Sequence, residues 1–135
     1  MDTTPARPKP ALATDDAPVV TYVQQLFEKA VALKASDLHF EPYEHQYRVR
    51  MRIDGELREV AFPHMALKDR LASRIKVMSR LDIAEKRLPQ DGRIGAVVQG
   101  QRFDLRVSSL PTLHGEKLVV RLLGDQQRPA LAALG

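Results

Sequence analysis

Arginine outnumbers lysine fourteen to seven in this chain, and three stretches place cationic side chains on one face of a candidate strand. In Tyr47-Arg48-Val49-Arg50-Met51-Arg52-Ile53 the alternation is strict. On a strand, Arg48, Arg50 and Arg52 would share one face, with Tyr47, Val49, Met51 and Ile53 on the other. Over 102–109, Phe103, Leu105 and Val107 would share a face opposite Arg102, Asp104, Arg106 and Ser108. Over 116–123, Leu118, Val120 and Leu122 would oppose Lys117 and Arg121. A guanidinium is a planar fork of donors that fits phosphate and carboxylate, so this pattern suits an anionic partner. Cross-strand pairing with Glu56, Glu59, Asp104 and Glu116 is the structural alternative, at about 0.2–1 kcal/mol per pair.

Other chemistries find less support. His39, Glu41 and His45 lie near each other, but two histidines six apart without cysteine are weak grounds for a metal, and none is expected. Ser36-Asp37 with His39, or Ser108-Ser109 with His114, lack a nucleophile-elbow context. Glu85, Asp91 and Glu116 are candidate paired carboxylates whose separation the sequence leaves open. The phosphate-binding pattern G-x-x-x-x-G-K-[ST] does not occur. Aromatic residues are 5% with no tryptophan, and single-strand binders need stacking rings, so nucleic acid is not an expected partner.

These groups need a scaffold, and 135 residues suit one domain. Hydrophobic residues make up 44%, charged residues 28%, and the net charge is +4. Cysteine is absent, which excludes disulfides and thiol chemistry. Residues 1–17, with three prolines, read as a disordered tail or interdomain linker. Val19, Val23, Leu26, Phe27, Ala30 and Val31 recur at helical spacing and predict a helix over 18–34. A short strand follows through Leu38 and Phe40 to Glu41-Pro42. The strand 47–53 then turns at Asp54-Gly55, a strong hairpin signal, into a return strand over 56–62. Leu67, Leu71, Ile75 and Met78 predict a helix over 66–80, ringed by Lys68, Arg70, Arg74, Lys76 and Arg80. Residues 81–88 read as irregular or a short helix, and Pro89-Gln90-Asp91-Gly92-Arg93 as a turn. Three strands follow over 94–99, 102–109 and 116–123, connected at Gly100 and across Pro111–Gly115. Helix, three strands, helix, three strands imply an α+β fold with a mostly antiparallel sheet of five or six strands and helices on one face. The free face is then a docking surface.

Several segments in order carry a family resemblance. They are Ala35-Ser36-Asp37-Leu38-His39-Phe40-Glu41-Pro42-Tyr43-Glu44, the stretch from Tyr47 to Val60, Arg74–Ser79 leading into Leu81–Ile94, Asp104-Leu105-Arg106-Val107-Ser108-Ser109-Leu110-Pro111-Thr112, and Gly115-Glu116-Lys117 through Arg121-Leu122-Leu123. From about residue 17 onward the chain closely resembles the bacterial type II secretion and type IV pilus assembly ATPases, the GspE/PilB family. The resemblance implies a PAS-like domain, over 18–124, that precedes a RecA-like ATPase domain in a hexameric ring. Residues 125–135 would be the exit linker toward that ATPase domain. It further implies nucleotide held between the domains, with arginines of the PAS-like domain reaching the phosphates. Arg106 and Arg121 match those positions, and Arg93 is a lesser candidate. Arg48, Arg50 and Arg52 would dock the ATPase domain or a neighbouring subunit. ATP and Mg2+ belong to the full-length protein, and the fragment alone is expected to bind neither, to lack ATPase activity and to be monomeric. Inner-membrane platform proteins are the implied partners, with the protein cytoplasmic and peripheral to that membrane. Pilus assembly is favoured over type II secretion on Ala17–Val20, His39–Glu44 and Leu57–Ala61. A free-standing PAS-like interaction module is the alternative from another class, although no spare aromatic set is present to line its pocket.

Overall fold

The computed structural model describes residues 17–122. The expected exit linker at 125–135 lies outside these residues, as does the expected N-terminal tail up to residue 16. Helix α1 runs Ala17–Ala32 and buries Val19, Val23, Leu26, Phe27 and Ala30, the stripe that its periodicity predicts. Strands β1 (Asp37–Pro42), β2 (Tyr47–Ile53) and β3 (Glu56–Ala61) follow. A 3-10 turn at Met65–Leu67 leads into helix α2, Lys68–Met78. Strands β4 (Gln90–Val98), β5 (Gln101–Thr112) and β6 (Gly115–Leu122) complete the described chain.

All six strands form one antiparallel sheet in the order β3-β2-β1-β6-β5-β4. The first and last meanders thus join through β1 and β6. Period-two patterning decides which face is buried. Leu38, Phe40, Val49, Met51, Leu105, Val107, Leu118 and Val120 line the core with the α1 stripe and Leu71 and Ile75 of α2. Both helices cover this face, in agreement with the α+β expectation.

Both helices stop short of their predicted ends. Lys34 and Arg80 sit at φ +59° and +62°, the left-handed position that closes a helix. At each end an amide reaches back five residues, Ala35 N to Ala30 O (2.9 Å) and Leu81 N to Lys76 O (2.8 Å). No glycine marks either stop, so apolar spacing alone overruns it. The Asp54-Gly55 hairpin has positive φ at both residues, as its turn type requires.

The predicted turn at 89–93 is not one. Residues 90–98 form a single strand, with Asp91 opposite Ser108 and Gly92 opposite Val107. The glycine serves close approach instead. A Cβ there would lie 2.5 Å from the Ser79 carbonyl oxygen and 2.8 Å from Leu81 Cδ2. Strand β5 also runs past its predicted end, through Pro111. β4 pairing ends at Ser109, so β5 is an edge there, where strand proline is tolerated. Residues 81–88 are irregular, one of the two forms expected.

Lys76 is not on the outer surface where the helical pattern put it. It is 1% exposed, and its Nζ donates to Glu116 Oε2 (2.8 Å) and to the Glu85 carbonyl (2.7 Å). This buried pair fastens the irregular 81–88 segment to α2 and to the start of β6.

Candidate functional site

The three candidate arginines come together. On the sheet face away from the helices, Arg93 of β4 is directly opposite Arg106 of β5, and Arg106 is directly opposite Arg121 of β6. The row therefore crosses three adjacent strands. With strands about 4.8 Å apart, its outer members stand on backbones about 10 Å apart. Like charges facing each other across strands are destabilising. Among the described residues no carboxylate lies within ion-pairing distance of Arg106 or Arg121, while Arg93 has only the half-exposed Asp104 at 3.6 Å. An exposed pair of that length is worth at most about 1 kcal/mol. The three guanidiniums line an open depression of about 570 Å³ with Asp91, Ser108 and Val119. Ser108 donates to Asp91 at 2.7 Å on its rim. Such an arrangement can hold a multiply charged anion through charge-assisted hydrogen bonds.

Past β6 the same row continues to Asp37 of β1, which faces Arg121 on one side and Arg52 on the other. Asp37 Oδ1 accepts from Ser36 Oγ (2.7 Å), and Oδ2 lies 2.5 Å from His39 Nε2 and 3.7 Å from Arg52 Nε. Burial would raise this carboxyl, but the Ser36 and His39 hydrogen bonds and the charges of His39 and Arg52 hold it below the usual carboxylate range. His39 Nδ1 is buried without a partner.

The Arg48–Arg52 stripe lies over carboxylates of the neighbouring strands. Arg50 holds Glu41 with two bonds, Nε to Oε1 and Nη2 to Oε2, both 2.8 Å. Arg48 Nε and Lys117 Nζ approach Glu41 at 3.4 and 3.5 Å. Arg48 also pairs with Glu59, donates to Tyr43 Oη at 2.8 Å, and lies 4.8 Å from the centre of the Tyr43 ring. Arg52 donates to the Gly55 carbonyl at 3.0 Å. Burial alone would raise the Glu41 carboxyl; the Arg50 hydrogen bonds and charge, with Lys117, overcome this and hold it at about 2. Four cations thus meet the three carboxylates of Asp37, Glu41 and Glu59, whereas among the described residues Arg106 and Arg121 have no carboxylate within ion-pairing distance.

Of the predicted pairing partners, Glu59 takes Arg48 and Asp104 approaches Arg93. Glu56 meets Arg58 at 3.6 Å instead of the stripe, and Glu116 turns to Lys76. Sequence reasoning missed Asp37 and Glu41 as the partners, although their parity with His39 on one short strand was a usable signal. Ser36, Asp37 and His39 do converge, but Ser36 donates to the carboxylate and no base sits on its oxygen, so they form no nucleophile. Glu85, Asp91 and Glu116 do not form a carboxylate pair. Glu116 binds Lys76, the Glu85 carboxylate caps the Arg87 and Leu88 amides, and Asp91 accepts from Ser108. Among the described residues no three histidine or carboxylate side chains converge as a metal-binding group. No helix of the described residues is long and apolar enough to cross a membrane.

Sheet, helices and face together define an α+β domain with a cross-strand arginine row on its open side. The sequence model of the Type II/IV secretion system protein family matches residues 12–135, and the chain belongs to that family. It is 56% identical over 122 residues to the type IV pilus assembly ATPase PilB of Acinetobacter baylyi, covering 90% of this chain and 20% of that protein. It is 52% identical over 122 residues to the type II secretion system protein HxcR of Pseudomonas aeruginosa, covering 90% and 26%. To the type II secretion system protein E of Aeromonas hydrophila it is 50% identical over 111 residues, covering 82% and 22%. The chain spans about a fifth to a quarter of the length of these relatives.

Proposed function

We propose that this chain is the arginine-bearing domain of a hexameric ATPase that powers type IV pilus assembly, and that Arg106 and Arg121 contact the phosphates of ATP held against a RecA-like ATPase domain. The observation that carries this reading is the cross-strand row of Arg93, Arg106 and Arg121, two of them without a carboxylate partner among the described residues. Hydration or an external anion must offset the repulsion in such a row, and a polyphosphate supplies that charge. Arg106 and Arg121 stabilise charge on the transferred phosphoryl group, a role that needs fixed donors rather than a nucleophile. Arg93, at the far end of the row, is the lesser contact. Mg2+ is bound with the nucleotide by the ATPase domain, and this chain's part is guanidinium alone. Arg48, Arg50 and Arg52 present a preorganised face that docks the ATPase domain or the next subunit. Inner-membrane platform proteins receive the resulting motion.

The pilus system is favoured by 56% identity to a pilus assembly ATPase against 52% to a type II secretion protein over the same length. The same domain of a type II secretion ATPase is the second reading, supported by several relatives of that name at about 50% identity.

The test is Arg106→Ala and Arg121→Ala in the full-length ATPase. Each lost charge-assisted bond costs about 1.5–3 kcal/mol, or about 10- to 150-fold in kcat/KM. Circular dichroism shows this domain still folded, because both side chains are exposed, and its thermal stability is equal to or above wild type, because each substitution relieves cross-strand repulsion. Wild-type turnover in both variants refutes the assignment.

A further inference from the structure

Asp37 is the one carboxylate in the cross-strand row, and it stands directly opposite Arg121 on the paired strands β1 and β6. Facing residues of an antiparallel pair have Cβ atoms about 4.5–5.5 Å apart, so an Asp37 rotamer pointing toward β6 reaches the Arg121 guanidinium. In the structure it does not pair with Arg121. Its two oxygens are held by Ser36 Oγ at 2.7 Å and His39 Nε2 at 2.5 Å, with Arg52 Nε at 3.7 Å on the side of β2. The holders are themselves fixed. Ser36 is bracketed by backbone bonds to both neighbouring strands, its N–H to Arg52 O and its carbonyl accepting from Leu122 N, each 2.9 Å. His39 is buried in the middle of β1 between Arg50 and Val119.

We propose that Ser36 and His39 are positioning residues that withhold the Asp37 carboxylate from Arg121 and so keep the arginine row open to nucleotide phosphate. This rests on the assignment of Arg121 to phosphate binding. An aspartate released from Ser36 or His39 becomes an internal competitor that occupies the same donors as the phosphate. The other roles open to a buried His–Asp pair on a central strand predict loss of stability alone; withholding predicts a specific loss of nucleotide affinity that removal of the carboxylate cures.

The experiment uses the full-length ATPase and measures KM for ATP and kcat in Ser36→Ala and His39→Phe, each with and without Asp37→Asn, and in an Arg121→Ala background. Ser36 is exposed, so its variant remains informative if the buried His39→Phe folds poorly. The expected result is a rise in KM of about fivefold, the size of one partly exposed ion pair formed on Arg121, with kcat changed much less. Asp37→Asn returns KM to the wild-type value, and neither substitution has a further effect once Arg121 is alanine. A raised KM that Asp37→Asn fails to restore overturns the proposal, as does an unchanged KM in Ser36→Ala and His39→Phe when Arg121→Ala raises it. If Arg121→Ala itself leaves KM and turnover at wild type, the phosphate assignment fails first and this proposal falls with it.

Discussion

Glu41 is the anchor of the Arg48–Arg52 half of the open face, and Glu41→Gln tests how much that anchor contributes. The carboxylate is 4% exposed, held by Arg50 through two bonds and approached by Arg48 and Lys117. Its pKa falls from 4.5 to about 2. A depressed carboxyl contributes stability that is fully present above the unfolded value and is lost as pH falls through the folded one. A difference of roughly 2.5 units corresponds to about 3 kcal/mol at neutral pH, with some 2 kcal/mol of it gone by about pH 3. Glutamine imitates the protonated acid in shape and charge. Urea unfolding of both proteins from about pH 7 to about pH 3 should therefore show a gap of about 3 kcal/mol that narrows to about 1 kcal/mol. Wild-type stability moves toward the variant, whose own curve is flatter. A gap that stays constant over this range refutes the charge-based account and assigns the loss to packing.

Two more substitutions probe the supports of the site. Glu116→Gln leaves the buried Lys76 ammonium without its counter-charge and should cost about 3–5 kcal/mol in urea unfolding; the double change Lys76→Met with Glu116→Leu should cost less, because it buries no unpaired charge. A double variant less stable than Glu116→Gln alone would contradict this. Gly92→Ala forces a methyl against the Ser79 carbonyl and should destabilise by about 1–3 kcal/mol. Gly95→Ala on the same strand meets nothing within 4 Å and should stay within about 0.5 kcal/mol of wild type, so equal effects at both positions would remove the close-approach account.

Much of this was legible along the chain. Period two in Tyr47–Ile53 fixes which side chains enter the core, because adjacent strand residues must point to opposite faces. The Asp54-Gly55 turn closes the β2–β3 hairpin, because aspartate and glycine tolerate positive φ. The same parity sets Arg106 and Arg121 on the polar face of their strands, opposite Leu105, Val107, Val120 and Leu122. Glycine was the least legible residue. Gly92 looks the same in sequence whether it serves a turn or a close approach, and only the position of Ser79 separates the two.

Register is what the sequence left open. Parity places Arg93, Arg106 and Arg121 on one face, but only the pairing of β4, β5 and β6 brings them to the same level. One residue of slip in either hairpin would break the row. The junction of β1 with β6 joins residues some eighty positions apart, which no local pattern encodes, and it is this junction that sets Asp37 beside Arg121. It also puts β1 in the middle of the sheet, so Asp37, His39 and Glu41 are buried on the face where an edge strand would expose them. Lys76 follows the same logic, because a helical repeat cannot tell a solvated lysine from one that meets Glu116 forty residues later. The sequence thus determined which residues of each strand share a face and that the arginine-bearing faces suit an anion. The tertiary structure decided which arginines already have partners and which remain available, because charge compensation is a property of neighbours across strands rather than along them.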